Sequence, residues 1–313
     1  MDYIKLGLTE LRISRIGFGC APMGGYDYGP VDDQNSIRAV HKALDLGINF
    51  FDTSDIYGLG HAERMLAKAL SKKRHEVVVA TKFGLRRDAH GNILRDSSPA
   101  NVIKSLEDSL DRLQLEAITL YQIHWPDPRT PPEETFSALL SCQKAGKIKH
   151  IGCSNFSLKG FQELNKLGRI ESLQVPYNLL DRGIEKDMLR YCREAHVSIL
   201  THSSLARGFL SGKYADDSQF EGTDTRGSSK YFSKESLAER KDLLKIMGEI
   251  SLRRGKAMSQ IAVRWILDNP AVTCAIVGFK DENQVDDILG SLEWKLSVEE
   301  YNHLAEQTKT FMT

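Results

Sequence analysis

Short apolar runs punctuate this chain at intervals too long for hairpins and long enough for a helix between each pair. They are Ile16–Gly19, Asn49–Thr53, Val77–Lys82, Ile118–His124, Ile148–Cys153, Leu173–Pro176, Ser198–Thr201 and Cys274–Val277. Within each run the apolar residues are nearly continuous rather than alternating, the pattern of parallel strands covered on both faces. The stretches between them repeat with a helical period. Asp33–Leu46 sets Ile37, Val40, Ala43 and Leu44 on one face; Ser98 is placed to cap a helix running to Leu113, with Ile103, Leu106, Leu110 and Leu113 at helical spacing. Glu133–Ala145, Leu158–Lys166, Glu185–Ala195, Leu237–Arg253 and Ser259–Leu267 read as helices in the same way.

Strand–helix alternation predicts an α/β fold with a parallel sheet. Eight such units favour closure into a (β/α)8 TIM barrel, and 313 residues suit one such domain, 1–313, with insertions. Tyr3–Ile13, with Gly7 and Thr9 between two strand-like pieces, predicts an N-terminal β-hairpin plugging the barrel bottom, and Ser297–Thr308 predicts an extra C-terminal helix. Ala215–Glu235 is a long polar loop, of the kind that serves function or moves.

Composition narrows the function. Lys plus Arg and Asp plus Glu both number 42, so there is no basic excess to hold nucleic acid. No apolar run approaches the ~18 residues of a membrane span. The five cysteines form no framework and no CxxC, and the N-terminus lacks the apolar core of a signal peptide. A cytoplasmic protein with reduced thiols and no metal site is expected; the oligomeric state is not encoded in any recognisable pattern.

The chemistry sits at the ends of the runs. Asp52 and Tyr57 close the second, Lys82 ends the third, His124 ends the fourth, and Ser154 and Asn155 come after the fifth. In a parallel barrel the C-terminal strand ends form the active-site face. A Lys ending a buried strand is costly unless partnered, and Asp52 is the available partner. This set suits carbonyl reduction. An incoming hydride leaves the carbonyl oxygen in need of a proton. Tyr57 is a poor acid unless a cation such as Lys82 lowers its pKa; Asp52 would orient Lys82, and His124 would hold the oxygen.

Four segments carry a family resemblance: Phe50-Phe51-Asp52-Thr53-Ser54-Asp55-Ile56-Tyr57-Gly58, Ala80-Thr81-Lys82-Phe83-Gly84, Ile123-His124-Trp125-Pro126-Asp127 and Gly152-Cys153-Ser154-Asn155-Phe156. In order and spacing they resemble the aldo-keto reductases over essentially the whole chain. Gln174-Val175-Pro176-Tyr177-Asn178-Leu179-Leu180-Asp181-Arg182 looks like the bacterial inositol-operon and general-stress branch. The resemblance implies Tyr57 as acid/base, Lys82 and Asp52 as its tuning pair, and His124 as the group that orients substrate. It also implies NADP(H), laid extended across the barrel mouth; no G-x-G-x-x-G stands after the first strand, so a Rossmann site is unsupported. By resemblance Gly19 and Cys20 in the first loop lie against this cofactor, and Ser154, Asn155 and Gln174 hold its carboxamide. His202, Ser203, Ser204, Leu205, Arg207, Leu210, Gly212 and Lys213 carry its pyrophosphate. Gly278 precedes a helix start that would seat an anion, Lys280 pairs with the 2′-phosphate, and Gln284 and Asp287 face the adenosine. His202 stands where relatives often carry Tyr or Trp, Ser204 where Pro is usual, and Ile288 where Asn is usual.

A small-molecule carbonyl substrate is the expected partner, with Tyr26, Tyr28 and Trp125 as candidate pocket walls and Tyr231 and Phe232 as further ones. Two other readings compete. Lys82 could be a Schiff-base nucleophile of a class I aldolase, although Asp52 should keep it protonated. The chain could also be a nicotinamide-binding regulatory protein without turnover.

Overall fold

A computed structural model describes residues 1–313 apart from 26–27, 89, 215–219, 221–223 and 312–313, and apart from the side chains of 234–239. Ahead of the barrel, β1 (Tyr3–Lys5) and β2 (Arg12–Ser14) pair antiparallel. Eight parallel strands then close on themselves: β3 (Ile16–Gly19), β4 (Phe50–Asp52), β5 (Val78–Phe83), β8 (Ile118–Ile123), β9 (Ile148–Ser154), β10 (Ser172–Pro176), β11 (Ser198–His202) and β12 (Val272–Gly278). These are the eight runs expected from the apolar pattern, in sequence order around the ring. Outside the ring, β6 (Leu85–Arg87) and β7 (Ile93–Arg95) form a second antiparallel hairpin. Its arginines and exposed Ile93 and Leu94 give no strand signal.

The helices are α1 (Asp33–Asp45), α2 (His61–Leu70), α3 (Pro99–Leu113), α4 (Pro132–Lys144), α5 (Leu158–Asn165), α6 (Met188–Glu194), α7 (Lys234–Arg254), α8 (Met258–Asp268), α9 (Glu282–Leu289) and α10 (Val298–Gln307). Three expectations need correction. Helix α2 is absent from the sequence reading, because the loop glycines Gly58 and Gly60 mask a helix that starts directly after them. Ser98 holds the cap position of α3 but caps nothing: its hydroxyl donates to Asp96 Oδ1 at 2.7 Å. On that helix Ile103 is exposed and Val102 takes its place in the core.

Two apolar layers result. The larger lies between strands and helices. The smaller fills the barrel interior, where Phe50, Val78, Ala80, Leu120, Leu200, Cys274 and Ile276 meet Leu6 and Ile13 of the N-terminal hairpin. The hairpin is therefore a plug in the physical sense, closing the bottom of the interior with two fully buried side chains. At the other flank α10 packs on α7, and Tyr301 stacks on Trp265 of α8 with ring centroids 5.6 Å apart.

Truncating the plug creates a cavity in a layer with few other residues. Leu6→Ala is expected to cost about 2–5 kcal/mol of stability, read as a lowered midpoint in urea unfolding. The mouth formed by the C-terminal strand ends lies opposite the plug, so any ligand binding there should be unchanged per folded molecule.

Candidate active site

The barrel strands converge on one cavity of about 350 Å³. Its wall takes Gly19 from β3, Asp52 from β4, Ser154 from β9, Gln174 from β10, His202 from β11 and Gly278 from β12, with Tyr57 after β4 and His124 after β8. Lys82 lies just beneath, 1 % exposed, on β5.

Lys82 organises the centre. Its ammonium donates to Asp52 Oδ2 at 2.6 Å, to the Thr53 carbonyl at 3.0 Å and to the Tyr57 hydroxyl at 3.4 Å. The other carboxylate oxygen of Asp52 accepts from Gln174 Nε2 at 2.8 Å and Gln122 Nε2 at 3.2 Å. A buried ion pair is tolerable only when its remaining lone pairs and protons are satisfied, and these contacts largely achieve that. Burial pulls the Lys82 pKa down, but Asp52 and Tyr57 outweigh it and the net shift is upward. A lysine so held is cationic at neutral pH. It cannot serve as a free amine, which removes the physical basis for the Schiff-base reading.

Tyr57 departs from the expectation in sign. Lys82 does lower its pKa, as anticipated, but burial acts more strongly, Asp52 adds to it, and the phenol is pushed up to about 12. Because Asp52 sits closer to the ammonium than Tyr57 does, much of the cation's field is already neutralised where the phenol feels it. Tyr57 is thus a firmly protonated donor. Its loop is fixed by contact: a Cβ on Gly58 would stand 2.3 Å from the carbonyl oxygen of Gly24, and one on Gly24 2.7 Å from the Gly58 nitrogen. Two bare backbones press together there, and Gly58 also sits at φ +57°.

His124 stands edge-on to Tyr57, ring centroids 5.9 Å apart. Burial, then Lys82 and His202, hold its pKa well below the usual histidine range, so the ring is neutral. Its Nδ1 lies 3.1 Å from Ser54 Oγ. Burial and Lys82 likewise take His202 down to about 4. Its Nε2 meets Asn155 Oδ1 at 3.0 Å, and Asn155 Nδ2 donates to the His124 carbonyl at 3.0 Å.

Toward the far end the wall becomes basic. Arg207, Lys213, Arg226 and Lys280 all line it. Burial and the neighbouring Arg226 lower the Lys280 pKa, with Asp224 opposing. The loop after β11 bends through left-handed backbone at Ser203, Ala206, Arg207 and Gly208, a conformation non-glycine residues hold only where the surroundings enforce it. Turns of this kind can aim backbone N–H groups at an anion.

Most of the expected site residues therefore share one cavity, including Ser203, Ser204, Leu205, Gln284, Asp287, Tyr28 and Trp125. Several do not. Cys20 and Leu210 are fully buried in the core and do not line it. Gly212 closes a turn against Met258 Sδ and is likewise off the wall. Tyr231 is buried with its hydroxyl on Asp181, and Phe232 packs among Phe209, Tyr214 and Phe220; neither reaches the cavity. Tyr26 lies outside the described residues. The start of α9 is not an open anion seat, because Asp281 caps it by accepting from the Gln284 N–H at 2.9 Å. Residues not anticipated also line the cavity, among them Tyr214, Arg226 and Ser259. Ser259 donates to Asp287 Oδ2 at 2.6 Å and so fixes that carboxylate. Only the length and polar character of the loop hint at Arg226.

Among the described residues no cluster of His, Cys, Asp and Glu could hold a metal ion, all five cysteines are free and buried, and no helix is long and apolar enough to cross a membrane. The chain is similar to the aldo-keto reductase YhdN of Bacillus subtilis, 36 % identical over 304 residues that span 96 % of this chain and 91 % of that protein. Its structure resembles that of the glycerol dehydrogenase AKR11B4 of Gluconobacter oxydans, with a TM-score of 0.90 and 35 % identity over 99 % of this chain and 96 % of the other. The holo form of the aldo-keto reductase AKR11C1 of Bacillus halodurans matches with a TM-score of 0.81 and 29 % identity, covering 98 % and 96 % of the two chains. Residues 15–309 match the aldo/keto reductase family, and with strand-tip chemistry that is suited to carbonyl reduction this chain belongs to it.

Proposed function

We propose that this single-domain, cytoplasmic oxidoreductase uses NADP(H) to interconvert small aldehydes or ketones and their alcohols, with Tyr57, Lys82, Asp52 and His124 as its working groups. The observation that carries this reading is the contact chain Asp52–Lys82–Tyr57, 2.6 and 3.4 Å long, beside a neutral His124 at the mouth of the barrel. The cavity fits the cofactor in its own features. Four cationic side chains line its far end, Arg226 already paired with Asp224, and half-buried Lys280 is destabilised as a cation and gains from an anion beside it. Ser154, Asn155 and Gln174 present hydroxyl and amide groups near the catalytic centre, matching a carboxamide. When bound there, a nicotinamide would supply a hydride to the carbonyl carbon.

The chain's own residues manage the oxygen. Tyr57 keeps its proton until that oxygen becomes strongly basic, and then donates it. Lys82 stabilises the phenolate left behind, and Asp52 keeps Lys82 charged and aimed. The neutral His124 fixes the position of the oxygen. Trp125 and Tyr28 stand on the wall as contacts for the rest of the substrate. A relative from Schizosaccharomyces pombe, described as an aldo-keto reductase with NADP(+), supports the cofactor assignment. The Gluconobacter neighbour is described as a glycerol dehydrogenase, which supports testing polyols in the oxidative direction.

Tyr57→Phe should lower kcat for aldehyde reduction by roughly 10²–10⁴-fold, while cofactor binding, followed by protein fluorescence quenching, stays intact. An unchanged rate would remove Tyr57 from the chemistry. Lys280→Met should weaken NADPH binding roughly tenfold to a hundredfold, the worth of a charge-assisted contact. NADH binding should hardly change, and equal losses for both would place Lys280 away from the 2′-phosphate.

A further inference from the structure

Ser54 and Asp55 have no role in the proton transfer assigned to Tyr57, yet they connect directly to the site. The Ser54 hydroxyl lies 3.1 Å from His124 Nδ1 and 3.1 Å from Asp55 Oδ1, and the Ile56 N–H points at the same oxygen at 3.4 Å. Ser54 is fully buried and Asp55 partly so. A hydroxyl has one hydrogen and two lone pairs. With the Ile56 N–H taking one lone pair, the hydroxyl hydrogen can go to Asp55 or to His124, but not to both.

We propose that Asp55, acting through Ser54, sets which ring nitrogen of His124 carries the hydrogen, and so whether His124 meets the substrate oxygen as a donor or as an acceptor. When Asp55 is a carboxylate, Ser54 donates to it and accepts from Nδ1–H. The neutral ring then has a bare Nε2, which can accept from an alcohol O–H but cannot support a carbonyl oxygen. When Asp55 is protonated, it donates to Ser54, Ser54 donates to Nδ1, and the hydrogen resides on Nε2. That form donates to a carbonyl. The two states differ by one proton: in passing from the second to the first, Nε2 releases a proton, the Ser54 proton moves to Nδ1, and the Asp55 proton moves to Ser54.

The surroundings place this exchange in an accessible pH range. Asp55 is raised to about 7 by burial first and by Glu63 of α2 second, against Ser54, Arg112 of α3 and the Ile56 N–H. Glu63 is itself engaged by Arg112 Nε and by Thr81 Oγ1, both at 2.6 Å. Tyr121 of β8 also lies within reach of the Asp55 charge, and it is held protonated by burial. Around His124 the charged and titratable groups are Lys82, His202 and Tyr57. The neutral ring cannot respond to pH by taking a second proton in this range, so any change in its tautomer is driven from Ser54 and Asp55. Ser54 and Asp55 are positioning residues, since they act on the substrate oxygen only through His124.

The inference rests on the role proposed for His124, so its test does not depend on turnover. The nitrogen-15 spectrum of histidine-labelled protein, with the His124 signals among the nine histidines assigned by their loss in His124→Gln, reports the tautomer at each pH. The hydrogen should sit on Nε2 at pH 5.5 and on Nδ1 at pH 8.5. Asp55→Asn and Ser54→Ala should each abolish the change, and Ser54→Thr should restore it. In kinetics, kcat/KM for reduction should fall about tenfold per pH unit above the midpoint and that for alcohol oxidation should rise toward it, with both inflections absent in Asp55→Asn. Folding of each variant is checked by thermal unfolding; Asp55→Asn should unfold at a higher temperature than the parent at pH 8.5, because it removes a poorly solvated charge, with a smaller gain at pH 5 that vanishes only below about pH 4, where the unfolded carboxyl is protonated too. A single His124 tautomer across this range in the folded parent would overturn the proposal. A tautomer change in a protein that reduces no carbonyl would uphold it and reject the assigned reaction instead.

Discussion

The buried contact between the Lys82 ammonium and the Asp52 carboxylate fixes the geometry of everything around it. Two opposite charges inside a barrel lose most of their hydration, and they are stable there only while each fills the other's hydrogen-bonding capacity. Asp52 meets this demand with two glutamine amides from β8 and β10 and with Lys82 from β5, so one carboxylate ties four strands across the mouth. The ammonium has one direction left, and it points at the Tyr57 hydroxyl. The phenol is thus placed by the same interaction that makes the ion pair tolerable.

That arrangement also governs the charge state of the site. Lys82 and Asp52 cancel at short range, leaving Tyr57, His124 and His202 as neutral groups in the pocket. Proton movements then depend on which neutral group is donor and which is acceptor. Fixed charge gathers at the other end of the cavity, among Arg207, Lys213, Arg226 and Lys280. A recognition end rich in cations and a reaction end without net charge suit a ligand that is anionic at one end and neutral at the other.

Much of this can be read from the chain. Runs such as Val77–Lys82 betray strands because both faces are covered, and a chemical residue at the end of such a run belongs to the rim. The failures have distinct physical origins. Helix α2 begins immediately after loop glycines, so turn signals hide its start. Cys20 and Leu210 neighbour site residues in sequence, but their side chains turn into the core, and orientation within an irregular loop leaves no periodic trace. Arg226 lies in the long polar segment and Tyr214 just before it, where no periodic pattern marks a residue as part of the cavity wall. The net direction of the Tyr57 shift depends on the balance of burial against a partly neutralised cation, which spacing cannot express.

The backbone contact between Gly24 and Gly58 bears on how this scaffold can be remodelled. Side-chain-free segments packed at such a distance behave as a weld between the first and second crossover loops. Any insertion that lengthened the first loop would drag the phenol away from the ammonium. Variation in reach and shape must instead come from elsewhere on the rim, such as the exposed β6–β7 ribbon beside Trp125, where Arg95 already lies over the indole. The fold thereby separates a portion that evolution must keep rigid from one that it can rewrite freely.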